Sequence, residues 1–360
     1  MTGLILILIP FSVRLKFKIR TPDILILLFY IWCFVIFLIY PYANVLYGFI
    51  TISEILLVYF LLRINLDRDN FRYVVSLIIS LIVFQLFIGG LQFVLKRPLG
   101  IIAESSILQY PYGLITAEDI NLFRVTGTFG DANMLAVTIL SLLPFLFVFR
   151  IKFVDFLKVS LLELLFFTYS RAEWAIGAIL FLFLIFRNKE EIIANKKYLK
   201  HILFFCIACI IFLLPGFIAR LETVPQAFMD GGSMDTRFKL LQESSKLIFQ
   251  YPVIGVGINR FQEVAGVHPV TDIFATHGFY AGTKVHNLFF EMATEIGIPG
   301  LVFFILFLLY VFEESMRKKN PILGNVVFSL IAIILASMFH PLFQSMQFRL
   351  YFLLSAIILV

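Results

Sequence analysis

Long apolar runs broken by short polar stretches cover almost the whole chain. An α-helix needs about 20 apolar residues to cross the hydrocarbon core of a bilayer. That pattern predicts spans near residues 2–13, 23–40, 45–62, 73–95, 132–149, 154–169, 173–186, 201–219, 285–314, 321–339 and 344–360. Two longer polar stretches, 96–131 and 220–284, separate them. The expected fold is an all-α integral membrane protein, a polytopic bundle of about 11–12 transmembrane helices. It forms one membrane domain over 1–360, with a large extracytoplasmic loop at 220–284 that contains short helices.

Composition supports this. Hydrophobic residues make up 61% of the chain and charged ones 14%, whereas a soluble domain carries roughly 25% charge. The net charge of +6 does not indicate nucleic acid, because the basic residues concentrate in short loops between spans. These are Arg14 to Arg20, Arg63 to Arg72, Arg150 to Lys158, Arg187 to Lys200 and Arg317 to Lys319. By the positive-inside rule these loops are cytoplasmic, the long loops lie outside and the chain ends in the cytoplasm. The first apolar run lacks a small-residue cleavage site and leads into further spans. Cys33, Cys206 and Cys209 all fall within apolar runs, which argues against a disulfide framework.

The candidate chemistry is mainly on the outer side. His268, His277, His286 and His340 are expected there, and His201 at the cytoplasmic edge. The outer arginines are Arg97, Arg124, Arg171, Arg220, Arg237, Arg260 and Arg349. In "FFTYSRAEW", Arg171 stands in a connection too short to leave the membrane surface, where it either snorkels to head groups or binds an anion. "GGSMDTRFKLLQESSKLIFQYP" predicts a helix capped by Ser233 or Asp235, with Arg237 in its first turn and Pro252 beyond its end. Phe238, Leu241, Ser245, Ile248 and Phe249 share a face that should lie on the bilayer or pack on the bundle. The helix's first amides and Arg237 would suit a phosphate. The Gly255-x-Gly257 that follows has neither the strand of a dinucleotide fold nor the lysine of a P-loop, and reads as close backbone packing.

In "TKVHNLFFEMATEIGIPG" (283–300) a helical pattern runs to Gly297, where "GIPG" should kink it. His286 and Asn287 either cap that helix or do chemistry. Glu291 and Glu295 share a face and must be buried against partners. Asp67-x-Asp69 in "LDRDN" reads as a solvated cytoplasmic loop.

Four segments together resemble the O-antigen ligase and O-antigen polymerase family of bacterial membrane glycosyltransferases. They are "GTFGDANMLA" (127–136), "TYSRAEW" (168–174), "DTRF" through "YPVIGVGINRF" (235–261) and "HNLFFEMATEIGIPG" (286–300). Phe290 stands where many members have Leu. The resemblance implies a glycan on a polyprenyl (usually undecaprenyl) diphosphate as donor and a glycan or lipid hydroxyl as acceptor, within bacterial inner-membrane lipid. It implies His286 as catalytic base and Arg171 and Arg237 as arginines holding one diphosphate. Asn287, Glu295, Asn133, Arg124 and Arg260 take supporting places. The chemistry needs neither metal nor cofactor: the diphosphate leaves readily and neutral histidine can take the acceptor's proton. Polymerase of surface polysaccharide repeat units is favoured, because the long loop lacks extra basic residues for a phosphorylated core. Ligation to lipid A core or protein is the alternative within the family. A lipid-linked oligosaccharide flippase is the alternative from another class, although it would place cations within spans.

Overall fold

The computed structural model describes residues 18–66, 71–99, 114–117, 120–147, 149, 152–187, 218, 221–222, 224–267, 269–273, 284–318 and 321–359. The spans expected at 2–13 and 201–219 lie outside or almost wholly outside these, as do His201, His268 and His277. The described helices are α1 (Thr21–Ile39), α2 (Ala43–Asn65), α3 (Phe71–Leu95), α4 (Ala132–Leu146), α5 (Lys152–Phe167), α6 (Arg171–Arg187), α7 (Val224–Phe228), α8 (Ser233–Gln250), α9 (Phe261–Ala265), α10 (Leu288–Lys318), α11 (Pro321–Ser337) and α12 (Phe348–Leu359). Helices α1, α2, α3 and α10 are long and apolar enough to cross a membrane, and shorter apolar helices accompany them. The protein is an integral membrane protein with a helical body.

The helical fold class is as expected, with one short hairpin added: β1 (Leu114–Ala117) and β2 (Ile120–Phe123) pair antiparallel with Leu114 opposite Phe123. One boundary needs correction. The expected span at 344–360 is helical only from Phe348. Before it the chain turns through Pro341, which has no backbone donor, and through Gln344 at φ 67°.

The chain divides into two compact units. One comprises 1–73, 227–330 and 337–360; the other comprises 74–226 and 331–336. In the first unit α1 packs along α10 and α2 along α12. Helix α1 buries Leu25, Ile26, Phe29, Cys33 and Ile36 while exposing Leu27, Leu28, Ile31, Phe34 and Leu38. An apolar surface on both faces is what lipid on one side and protein on the other require. Phe304, Phe307, Phe348, Tyr351 and Phe352 form a buried aromatic centre, with Tyr59 against Phe307 and Phe352.

At one end of this unit Asp23 is buried with Arg63, whose Nε and Nη2 donate to its two oxygens at 3.0 Å each. Tyr59 and the Arg20 backbone N–H also donate to that carboxylate. Arg20 and Arg63 both donate to the Leu359 carbonyl, and Lys318 to that of Ile358. These cations satisfy the last carbonyls of α12, where the helix dipole favours positive charge.

Helix α10 breaks at Gly297 (φ 73°, ψ 172°), as "GIPG" suggests. A break leaves backbone groups without their i→i−4 partners, and Pro299 has no N–H to give. Each group set free finds a replacement. The Thr294 and Glu295 carbonyls accept from the Val256 and Gly257 N–H groups at 2.9 and 3.0 Å, and Ile298 N–H donates to Pro252 at 2.8 Å. Trp32 Nε1 donates to Ile296 at 2.7 Å. The loop 252–257 therefore plugs the break, and its glycines are needed for contact. A Cβ on Gly255 would lie 2.6 Å from the Glu295 carbonyl, and one on Gly297 1.9 Å from the Val253 oxygen.

In the second unit, two glutamines of α3 grip the turn before α4. Gln92 accepts from the Thr126 and Gly127 N–H groups and donates to the Gly127 carbonyl. Gln85 accepts from Thr128 N–H and donates to its hydroxyl. Asp131 caps α4 by accepting from Asn133 and Met134.

Candidate functional site

His286 and Asn287 stand side by side before α10 but act differently. Asn287 is the cap: its Oδ1 accepts from the Phe289 and Phe290 N–H groups at 3.0 and 3.1 Å, and its Nδ2 donates to Met338. His286 takes no part in capping. The Phe339 backbone lies close enough to act on its ring, while Nδ1 is buried with no hydrogen-bond partner among the described residues. Burial, then the charge of Arg237, then His340 push this imidazole's pKa down to about 3, with the Phe339 backbone opposing. The ring is neutral at physiological pH.

Arg237 is half-buried in the first turn of α8. The helix begins at Ser233, and its N-cap is Gly232 where Ser233 or Asp235 was expected; no side chain caps it. Asp235 instead accepts from Gly231 N–H at 3.0 Å. Leu240, Glu243, Ser244 and Leu247 are buried towards α10, while Phe238 and Phe249 are exposed. Ser244 bonds to Thr294 at 2.6 Å. The buried Glu243 accepts from Val270 N–H, Thr271 N–H and the Thr271 hydroxyl, fixing the loop that follows α9.

Glu295 and Glu291 are buried against partners, as helical spacing within an apolar run requires. Glu295 accepts from Asn259 N–H at 2.8 Å and lies 3.5 Å from Gln344 Nε2. Glu291 accepts from Phe343 N–H at 3.1 Å and faces Lys284 Nζ at 3.5 Å. Lys284 was not singled out by sequence reasoning. Burial would lower its pKa, but Glu291 and Glu295 outweigh burial and hold the ammonium above its usual value. Arg260 lies over the Tyr42 ring at 4.1 Å and pairs with Glu263, so its charge is already engaged. Arg349 pairs with Glu54 at 3.0 Å. His286, Asn287, Arg237, Arg260 and Glu295 thus all belong to the first unit.

Arg171, Arg124 and Asn133 belong to the second unit. Arg124 donates to the Thr168 carbonyl at 2.7 Å and to Asn133 Oδ1 at 2.6 Å. Asn133 Oδ1 also accepts from the Ser170 hydroxyl at 2.8 Å, and Ser170 bonds to the buried Glu173. Ser170 precedes α6 and Glu173 sits in its first turn, so the pair occupies capping-box positions. Trp174 Nε1 donates to Leu165. This network fixes the turn on which Arg171 begins α6. Tyr169, at φ 50°, forms part of that turn.

A helical body with lipid-facing apolar surfaces and a neutral histidine beside an arginine defines a polytopic membrane protein with a polar site at its helix ends. Residues 156–305 match the family described as O-antigen ligase (Wzy_C). A search of curated proteins found no match.

Proposed function

We propose that the chain is an inverting, metal-independent glycosyltransferase that polymerises surface-polysaccharide repeat units carried on polyprenyl diphosphate. It acts on the extracytoplasmic face of the bacterial inner membrane. The observation that carries this reading is His286: Nδ1 is buried with no hydrogen-bond partner among the described residues, and Arg237 is close enough for its charge to act on the ring. In the reaction the acceptor hydroxyl gives its proton to Nδ1 as its oxygen bonds to the anomeric carbon. The bond from that carbon to the diphosphate breaks, and the diphosphate leaves with the electron pair. Arg237 stabilises the charge developing on the leaving oxygens. The diphosphate's own charge also offsets Arg237 at His286, making the base stronger once donor is bound. Arg171 is proposed as a further phosphate ligand from its motif. Glu295, Asn287, Asn133, Arg124 and Arg260 support the segments that carry these groups.

His286→Asn tests this. Transfer in a single turnover should fall about 10²-fold or more, the scale of losing a general base, while the protein stays folded and still binds donor. Arg237→Lys and Arg171→Lys keep the charge but lose the bidentate fork, and each should weaken donor binding. A His286→Asn protein that transfers at the wild-type rate would remove the base assignment. In a deletion strain, surface glycan collapsing to single repeat units supports polymerisation. Long chains left on the lipid carrier would support ligation instead.

A further inference from the structure

Beside the break in α10 the first unit carries an apolar surface that no described residue covers. Phe249, at the end of α8, is 86% exposed, and Tyr251 and Val253 in the loop after it are exposed as well. From Leu247 to Asn259 the chain holds no charged residue. The other end of α8 is the reverse. There Lys239 pairs with Asp230 at 2.7 Å and with Asp235 and Asp272 at 2.9 Å each, a charged cluster that belongs in water. Charged and apolar surface are thus segregated along one helix, unlike the single apolar residues scattered over an ordinary soluble face.

Helix α10 shows what covers the apolar end. Past the break, Ile298, Val302, Ile305 and Leu309 are all exposed, and their spacing puts them on one face of the helix. From Ile298 to Phe312, before Glu313, the helix supplies 15 uncharged residues. That is about 22 Å, less than the roughly 30 Å of hydrocarbon a span must cross. The whole stretch is therefore needed in the hydrocarbon, and Ile298 stands at its edge or inside it. Ile298 N–H donates to the Pro252 carbonyl at 2.8 Å, so Tyr251 and Val253 flank a residue held at that depth. We infer that the 249–253 tip is a membrane anchor, inserted in the leaflet away from Arg317 and Lys318. Phe249 and Val253 enter the acyl chains, and Tyr251 keeps its hydroxyl at the head groups, as interfacial tyrosines do. The occupant is lipid and not a second chain, because this surface is continuous with the lipid-facing stripe of α10. The loop that plugs α10 is thereby also the point where α8 is tied to the bilayer, whatever chemistry the protein performs.

The test uses the full chain in liposomes, with nitroxide labels on single cysteines in a cysteine-free background. Labels at Phe249→Cys and Val253→Cys should be relaxed by oxygen more than by a water-soluble nickel chelate, as should Val302→Cys on the α10 stripe. Asp230→Cys, at a side chain 87% exposed beside Lys239, should show the reverse order. Tip labels that follow Asp230 put the tip in water and overturn the anchor. Tip labels shielded from both reagents put a protein there, such as a second copy of the chain, and overturn it equally. Phe249→Trp gives a readout with the native cysteines in place, and replacing so exposed a side chain removes little packing. Its emission above that of Trp32 and Trp174 should be quenched more strongly by lipids brominated near the head-group end of their acyl chains than by aqueous iodide. The opposite order would also overturn the proposal.

Discussion

At His286 the proton balance is set by charge as much as by burial. With a folded pKa near 3 and an unfolded one near 6.5, the unfolded chain binds a proton that the folded ring does not. This histidine's contribution to stability is therefore present above about pH 6.5 and declines as pH falls towards 3. Donor binding should reverse part of the shift, because a diphosphate beside Arg237 cancels the cation that lowers the ring's pKa. The donor complex then holds more protons, and donor affinity should rise as pH falls from about 6 to 4. Calorimetric binding of a non-transferable donor analogue in two buffers would detect the uptake, and the same slope in His286→Asn would refute it. "HN" alone could not say which residue caps. That depends on which side chain receives the Phe289 and Phe290 N–H groups, and on the Phe339 backbone far along the chain. Lys284 escaped notice because its partners, Asn259 and Glu291, are 25 and 7 residues away on different segments.

Among the elements, the broken helix α10 was readable from "GIPG", since glycine and proline announce a break wherever they occur. Its plug was not, because nothing in "YPVIGVG" states which backbone it will meet. The plug makes a sharp prediction. Gly297→Ala must both move the Val253 carbonyl, 1.9 Å from the new Cβ, and occupy backbone almost reserved for glycine. It should cost about 3 kcal/mol or more and abolish transfer. Gly231→Ala, at φ 78° with nothing within 4 Å, isolates the backbone term and should cost only about 1 kcal/mol. Thermal unfolding in detergent separates them, and equal losses would remove the plug's role. Of the α8 face chosen by periodicity, Phe238 and Phe249 are exposed, as a face lying on the bilayer would be, and Leu241 packs against the core around Leu240 and Leu247. The buried side mixes Leu240 and Leu247 with Glu243 and Ser244, a polarity that periodicity reads as surface.

For the whole molecule, apolar length carried most of the information, and the described helices begin and end close to the predicted spans. The basic alternation has a structural counterpart in the first unit, where Arg20, Arg63 and Lys318 gather on the last carbonyls of α12. Three loops assigned to one side by charge thus meet at one end. The β-hairpin was not legible, because 114–123 lacks the clean alternation and turn chemistry that announce one. Membrane sidedness is tested by single cysteines introduced into a cysteine-free background. Gln226→Cys should react with an impermeant thiol reagent on spheroplasts, and Lys197→Cys should not. The opposite pattern would invert the topology.

The plug at Gly297 also limits how this protein can be recombined with its relatives. Residues 252–257 and 294–298 complete each other's backbone, so they behave as one heritable piece despite the sequence between them. A chimera that joins one parent's loop to another's helix anywhere from 258 to 293 inherits two halves of a joint that never evolved together. Swaps meant to change acceptor choice should therefore place both crossover points outside 252–298 and exchange the joint whole.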